Sequence, residues 1–193
     1  MVITERYCPF SQRHSIIASP LIGRGNLALS SCIYATIRNR MPQYWLLKSE
    51  PTSFSIQDLA QSPGQTTCWE GVRNYQARNF LKSMNVGDRG FFYHSNADPP
   101  AIVGTIKVVK AAYPDPYAFD GKSRYFDPKS TQDSPRWFLV DVKLMKTFPN
   151  PLALEYLRTI AGLAQMELLR KGSRLSVQPV RPEEWKCVCS LVG

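Results

Sequence analysis

The segment at residues 68–79 concentrates side chains that can hold a flat, polar ligand. Trp69 lies five residues before Asn74, and Arg73 and Arg78 flank that asparagine. An indole ring stacks on the face of any nucleobase, an asparagine amide offers both a donor and an acceptor to a base edge, and arginines bind phosphate groups. In the alternative interpretation, Trp69 belongs to the hydrophobic core and the arginines lie on a solvated surface. The segment alone leaves both interpretations open.

Three further groups place polar or aromatic side chains beside apolar runs. They are Lys48 and Ser49 after the run 44–47, Tyr93, His94 and Ser95 at the end of the run 90–95, and, in the loop 113–135, Tyr117, Phe119, Tyr125 and Phe126. Polar residues where a strand ends often line a site, and an aromatic loop can fold over a ligand. Each group also has a plainer interpretation: an ordinary strand exit, a histidine that makes only structural hydrogen bonds, and a minor hydrophobic cluster.

Patterns for catalysis and metal binding are absent from the sequence. It contains no P-loop, no GxGxxG after a strand, no HExxH and no GxSxG. Cys68 and His94 are the one conceivable Cys–His pair of the region after residue 41, and nothing in their positions indicates that they meet, as a nucleophile and its base must. With two histidines and scattered cysteines, no four-ligand metal site can be assembled. We expect a protein that is not an enzyme and has no cofactor and no metal.

The composition is that of a globular chain with an excess of positive charge. Of the 193 residues 44% are hydrophobic, and the formal net charge is +9. A basic surface attracts polyanions and releases their counterions on binding, although the same charge can serve solubility alone. No apolar run approaches the ~20 residues that span a bilayer, and the odd number of cysteines suits a reducing compartment. We expect a soluble protein of the cytoplasm, or of the nucleus in a eukaryote.

The first forty residues differ from the rest of the chain. They contain five arginines and one glutamate, and they show neither a helical nor an alternating pattern. Basic, acid-poor extensions resemble transit peptides, so organellar targeting stays open; alternatively, translation begins at Met41. We predict that residues 1–40 are disordered or dispensable and that residues 42–193 form a single domain.

The apolar patterns after residue 42 predict strands with helices between and after them. Strands are predicted at 44–47, 90–95, 101–109, 136–145 and 174–177. A capping box of Ser55 and Asp58 begins the first helix, and Asn74 caps the second. Further helices are predicted from Pro151 to about residue 160, over 163–171 and from Pro182 onward. The fold class is therefore α+β, a small mixed sheet flanked by helices.

Taken together and in order, these segments resemble the EVE domain, over about residues 42–191. The motifs are YWLLKSEP (44–51), WEGVRNYQARN (69–79), GD (87–88), FFYHS (91–95), DP (127–128), WFLVDV (137–142) and RLSVQPV (174–180). The resemblance implies a PUA-like fold, a small mixed β-barrel flanked by helices, related to the YTH domains that read methylated adenine. Those relatives share a Lys-Ser pair such as Lys48-Ser49 and a cage tryptophan in the place of Trp69. Their second cage tryptophan has no equivalent in the loop 113–135, so the modification that they read cannot be transferred.

The resemblance further implies a module that holds a nucleotide base, in DNA or RNA and carrying a modification, in a polar pocket walled by aromatic rings. The base pocket would be formed by Lys48, Ser49, Trp69, Gly71, Val72, Asn74, Tyr93, His94 and Ser95. A loop aromatic, from Tyr117, Phe119, Tyr125 and Phe126, would stack opposite Trp69. Flanking phosphates would be held by Arg73, Arg78 and Arg174, with Lys48. The alternative is a small-molecule sensor or protein-interaction adaptor that uses the same pocket.

Overall fold

A computed structural model describes residues 40–192 of the chain. Its strands and helices are β1 (Tyr44–Ser49), α1 (Ile56–Gln61), β2 (Thr66–Cys68), α2 (Tyr75–Ser83), β3 (Arg89–His94), β4 (Ala101–Pro114), β5 (Phe138–Ala153), α3 (Leu154–Arg158), β6 (Val177–Val180) and α4 (Pro182–Ser190). None of the helices in this range is long and apolar enough to cross a membrane. The predicted N-terminal extension lies outside the described residues, apart from Arg40.

The strands form one mixed, six-stranded sheet in the order β2-β5-β4-β3-β1-β6. β1 pairs in parallel with β3, and the other neighbouring pairs are antiparallel. The α+β class is confirmed, but within residues 40–192 the hydrogen bonding leaves the sheet open, with β2 and β6 at its edges, and does not close a barrel. Helix α2 packs against β4, β5 and β6. The helix therefore contacts strands from both halves of the sheet.

Each face of the sheet carries its own hydrophobic cluster. Successive residues of a strand point to opposite faces, so Leu47 and Phe92 lie in a first cluster with Trp69 and helices α1 and α2. Leu46 and Phe91 lie in a second cluster that includes Trp185 of α4. This division decides which side chains near the strand ends can meet.

The predicted helix caps of the N-terminal half are confirmed. The Asp58 amide donates to Ser55 Oγ at 3.1 Å, and the Ser55 amide donates to the Asp58 carboxylate at 2.7 Å, which completes the capping box of α1. Asn74 Oδ1 accepts the Ala77 amide at 3.0 Å at the start of α2. Both caps involve residues three apart in sequence, so local chemistry suffices to place them.

The helix predicted from Pro151 is wrong at its start, because β5 continues to Ala153 and α3 begins only at Leu154. Leu152 pairs with Ile102 of β4 and is buried in the second cluster. The register between the two strands shifts just before this pair, where Pro151 lies. A proline is tolerated at such an irregularity because no ladder hydrogen bond is required from it. Pairing with a distant strand thus overrides a local helix signal.

The helix predicted over residues 163–171 is also wrong. The structure has two separate 3-10 turns there, Ala161–Leu163 and Glu167–Leu169. Leu163, Met166 and Leu168 are buried, and their spacing of three and two residues brings them to the core without a continuous α-helical stripe. The strand that follows begins at Val177, so Arg174 precedes β6 and is not part of it.

Candidate functional site

The residues predicted to share one pocket divide between the two faces of the sheet. Lys48 and Tyr93 lie on the face of the second cluster, where the Lys48 ammonium is 5.8 Å from the centre of the Tyr93 ring. Burial lowers the pKa of Lys48, opposed by Glu167, and raises the pKa of Tyr93, opposed by Arg158. Trp69 lies in the cluster on the other face. The structure therefore does not bring Lys48 and Tyr93 together with Trp69.

Ser49 and His94 lie on the Trp69 face, where they bind the segment that leads into α1. Ser49 Oγ donates to the Phe54 carbonyl at 2.6 Å, and the Ile56 amide donates to His94 Nε2 at 3.1 Å. Ser95 follows on the chain, and its amide donates to the Ser49 carbonyl at 2.9 Å. The ends of β1 and β3 and the start of α1 are thereby held as one polar unit.

Trp69 belongs to an aromatic group that reaches this polar unit. Its ring and the Phe92 ring form an edge-to-face pair, with a centroid distance of 5.3 Å and an interplanar angle of 82°. Phe92 in turn meets His94 at 5.6 Å. The Trp69 amide donates to the Val140 carbonyl at 2.8 Å, and the side chain is 7% exposed. Trp69 is thus a core residue of the free protein that lies one ring away from the polar strand ends.

Protonation of His94 should weaken the start of α1. Its Nε2 accepts the Ile56 amide only when unprotonated, and burial lowers its pKa from the ordinary 6.5, opposed by Asp58. A depressed folded-state pKa means that this stabilisation is fully present above pH 6.5 and is lost as the pH falls through the lowered value. We expect the Tm of the wild type to fall between pH 7 and 5 more steeply than that of His94→Gln, whose amide oxygen accepts but does not titrate. An equal decrease in Tm between pH 7 and 5 for the two proteins would contradict this role of His94.

The aromatic loop folds onto the segment after Trp69. Gly71 has a φ of +76°, and a Cβ at this position would lie 2.5 Å from the Tyr125 ring. Val72, beside it, is buried. Of the other loop aromatics, Tyr117 and Phe119 are half-buried and Phe126 is exposed. Tyr125 is therefore the loop aromatic that the structure places directly over this segment.

Replacing Gly71 by alanine should dislodge the Tyr125 ring. Positive φ costs a residue with a Cβ about 1–2 kcal/mol, and the contact with Tyr125 adds to that cost. Gly87→Ala is the matched control, because Gly87 has a φ of +96° and no atom within 4 Å of its Cβ position. We expect a larger loss of Tm in Gly71→Ala and faster tryptic cleavage at the exposed Arg124. Equal losses and equal cleavage in the two variants would show that Tyr125 does not pack there.

Arg73, predicted to bind phosphate, is instead bound inside the protein. Its Nη1 donates to the fully buried Asp115 at 2.8 Å, and its Nε donates to the Tyr125 carbonyl at 3.0 Å. The guanidinium also lies 5.4 Å from the centre of the Trp137 ring. The prediction missed Asp115 and Trp137, whose link to Arg73 spans more than forty residues. Arg73 therefore fastens the loop to the segment after Trp69.

Arg78 keeps a surface position in an arrangement that also includes residues not predicted. Tyr75, 48% exposed, stacks on Trp137 at 5.0 Å, and the Arg78 guanidinium lies 4.9 Å from the centre of the Tyr75 ring. Arg136 bonds the Tyr75 hydroxyl and pairs with Asp127 at 3.3 Å. A hydrogen bond from Trp137 is the largest cause that lowers the pKa of Asp127. The sequence contained a signal for Tyr75, because this aromatic residue follows the predicted cap Asn74 and begins helix α2.

Two predicted binding residues remain without a place in these contacts. The Asn74 oxygen is occupied by the α2 cap, which leaves the amide nitrogen of this exposed side chain as a donor. Arg174 is exposed, in the segment that leads to β6. Within residues 40–192, no group of three or more His, Cys, Asp or Glu side chains is arranged to hold a metal ion.

Comparison with known proteins gives a consistent picture. Rat thymocyte nuclear protein 1 is 43% identical over an alignment of 174 positions, and the alignment covers 82% of this chain and 77% of that protein. A crystal structure of a Pseudomonas putida protein has 51% identity and a TM-score of 0.75, covering 78% of this chain and 99% of that one. Human THYN1, crystallised in complex with 5-methylcytosine-containing DNA, has 43% identity and a TM-score of 0.73, covering 77% and 96%. The family model of the EVE domain matches residues 43–191. This chain therefore belongs to the EVE domain family.

Proposed function

We propose that the protein is a non-catalytic nucleic-acid-binding module that holds a modified base beside Trp69. The single observation that carries the proposal is that a protein 43% identical to it, matched over 96% of the crystallised chain, was crystallised with DNA containing 5-methylcytosine. The aromatic group around Trp69 and the polar ends of β1 and β3 supply what such a base needs, a ring to stack on and groups that bond its edge.

In this proposal the base enters between Trp69 and the loop. Because Trp69 is only 7% exposed, neighbouring side chains must move to admit a base. Tyr125 lies over Gly71 and is therefore the loop aromatic best placed to move aside. After the base has entered, the Tyr125 ring can stack on it opposite Trp69. Ser49 and the backbone near Ser95 would bond the base edge, and Asn74 Nδ2 is a further donor. We leave Lys48 and Tyr93 out of the proposed pocket, because they lie on the opposite face of the sheet from Trp69.

Flanking phosphates are assigned to Arg78 and Arg174. Arg78 has no carboxylate partner within residues 40–192, unlike Arg73 with Asp115 and Arg136 with Asp127. In a nucleic-acid strand that passes Tyr75, a base can stack on the exposed Tyr75 ring while a phosphate binds the adjacent Arg78 guanidinium. Arg73 is excluded, because binding a phosphate would require it to leave a buried carboxylate.

Discrimination for one methyl group should be modest. Burial of a methyl contributes about 0.8 kcal/mol, which corresponds to about a fourfold difference in affinity. A base in duplex DNA must also be flipped out, at a cost of a few kcal/mol. DNA and RNA are both compatible with these contacts. The name of the vertebrate relatives points to the nucleus, and we propose that location for this chain if it functions in a eukaryote.

The direct test is a fluorescence-quench titration of the full chain with short DNA and RNA oligonucleotides and with the corresponding free nucleosides. The oligonucleotides carry cytosine, 5-methylcytosine, adenine or N6-methyladenine at one position, and each ligand is measured at two salt concentrations. We expect salt-sensitive binding that is tighter for one modified base. Binding of a free nucleoside with no salt dependence would favour a small-molecule sensor instead, and no binding to any of these ligands would refute the proposal.

A further inference from the structure

Strand register aligns three cations across the neighbouring strands β3, β4 and β5. Arg89 of β3 is directly opposite Lys107 of β4, which is directly opposite Lys143 of β5. The same line continues to Thr66 of β2 on one side and to Tyr44 of β1 on the other. Directly paired residues project from the same face, so these side chains stand side by side. We call Arg89, Lys107 and Lys143 the cationic row.

The cationic row is exposed and lacks acidic partners. All three side chains are exposed, and none of them takes part in an ion pair within residues 40–192. The carboxylate two residues before Lys143, that of Asp141, accepts the Tyr113 hydroxyl at 2.6 Å. Like charges directly opposite one another destabilise a sheet. The row therefore costs stability in the free protein, and a polyanion would remove that cost.

The position of the row connects it to the proposed base site. It lies on the face opposite the Trp69 cluster, since Tyr44 at its end stacks on Trp185 at 4.7 Å. At its other end Thr66 begins β2, the edge strand that ends at Cys68, immediately before Trp69. A nucleic-acid strand bound along the cationic row would therefore have to pass around the β2 edge of the sheet to reach Trp69. With neighbouring strands about 4.8 Å apart, the row spans about 10 Å.

We propose that the cationic row binds the phosphate backbone of the nucleic acid whose base is held beside Trp69. This inference rests on the proposed function and adds a second contact surface to it. A line of fixed cations complements a line of closely spaced phosphates, which carry one charge per 3.4 Å of each strand. It carries no sequence information, so it should contribute to affinity and not to discrimination between bases.

The test compares Lys107→Gln/Lys143→Gln with Lys171→Gln/Lys186→Gln, which removes two other exposed charges. Each phosphate contact contributes about 0.9 to the slope of log affinity against log salt. For a duplex with a central 5-methylcytosine, we expect the row variant to lose about 1.8 of that slope and the control variant to lose none. The preference for the methylated base should not change. The Tm of the row variant should equal or exceed that of the wild type, because repulsion is relieved.

The outcomes separate this inference from the proposed function. Suppose that the wild type prefers the methylated duplex and that both variants keep the wild-type slope of log affinity against log salt. The cationic row is then only a solvated surface, and this inference fails while the proposed function stands. If the row variant loses slope but the wild type shows no base preference, the row is supported and the base pocket is refuted. A row variant that loses binding to vesicles of anionic lipid and keeps its DNA slope would identify a membrane contact and overturn the inference.

Discussion

Trp69→Ala is expected to lower the affinity for the preferred oligonucleotide by roughly 5- to 150-fold. Loss of base stacking on an aromatic ring costs about 1–3 kcal/mol, and every 1.4 kcal/mol is a factor of ten. The same variant should lose about 3–5 kcal/mol of folding stability, as buried tryptophans do on truncation, because the ring is 7% exposed and packs on Phe92. Titration at a temperature where the variant is folded, together with thermal melting, measures both effects.

Trp45 provides the control that separates stacking from packing. It is 5% exposed, lies in the same cluster and bonds Asp88 through its indole nitrogen. Trp45→Leu and Trp69→Leu should both lose Tm, but only Trp69→Leu should lose base affinity, because it removes the ring on which the base stacks. Equal affinity losses in the two variants would mean that Trp69 acts only through the core.

Arg73→Met is expected to be among the most destabilising surface-accessible substitutions in the domain. It leaves the carboxylate of Asp115 buried and unpaired, which costs about 3–5 kcal/mol when a buried pair is broken; since the Arg73 side chain is 23% exposed, the lower end applies. For a domain of this size, each kcal/mol lowers Tm by about 2–4 °C. Differential scanning calorimetry should therefore show a decrease on the order of 10 °C.

Two controls test the ion pair of Arg73 with Asp115. They are Arg78→Met and the double variant Arg73→Met/Asp115→Asn. Arg78 is half-buried with carbonyl and amide partners, so its loss should hardly change Tm but should reduce the salt slope of DNA binding by about 0.9. Adding Asp115→Asn to Arg73→Met removes the unpaired charge and should restore part of the Tm. A wild-type Tm in Arg73→Met would contradict a structural role for the ion pair with Asp115, and Arg73 would again be a candidate phosphate ligand.

The local elements of the fold could be predicted from sequence because their determinants are local. The capping box of Ser55 and Asp58, the Asn74 cap and the apolar runs of β1 and β3 each depend on residues a few positions apart. Prediction failed where a distant partner decided the structure. Pro151 carries a strong helix-start signal, but pairing of Leu152 with Ile102 of β4 extends the strand past it.

The candidate site shows the same limit. Motif resemblance identified Ser49, Trp69 and His94, which the structure places on one face of the sheet, but it also grouped Lys48 with them. Neighbours in a strand point to opposite faces, so Lys48 and Ser49 project to opposite sides of the sheet. The ion pair of Arg73 with Asp115 was hidden because an arginine beside a helix cap looks equally suited to a phosphate.

Residue order and composition were enough to assign the family, the α+β class, the basic charge and the residue types available to a base. The folded arrangement was needed to see which of those residues meet, which arginine is bound inside the protein, and that Arg89, Lys107 and Lys143 stand in one row. Composition and short-range patterns act within a few residues of chain. Register between strands is set by the packing of whole faces, and one residue of slip would turn every side chain to the other side.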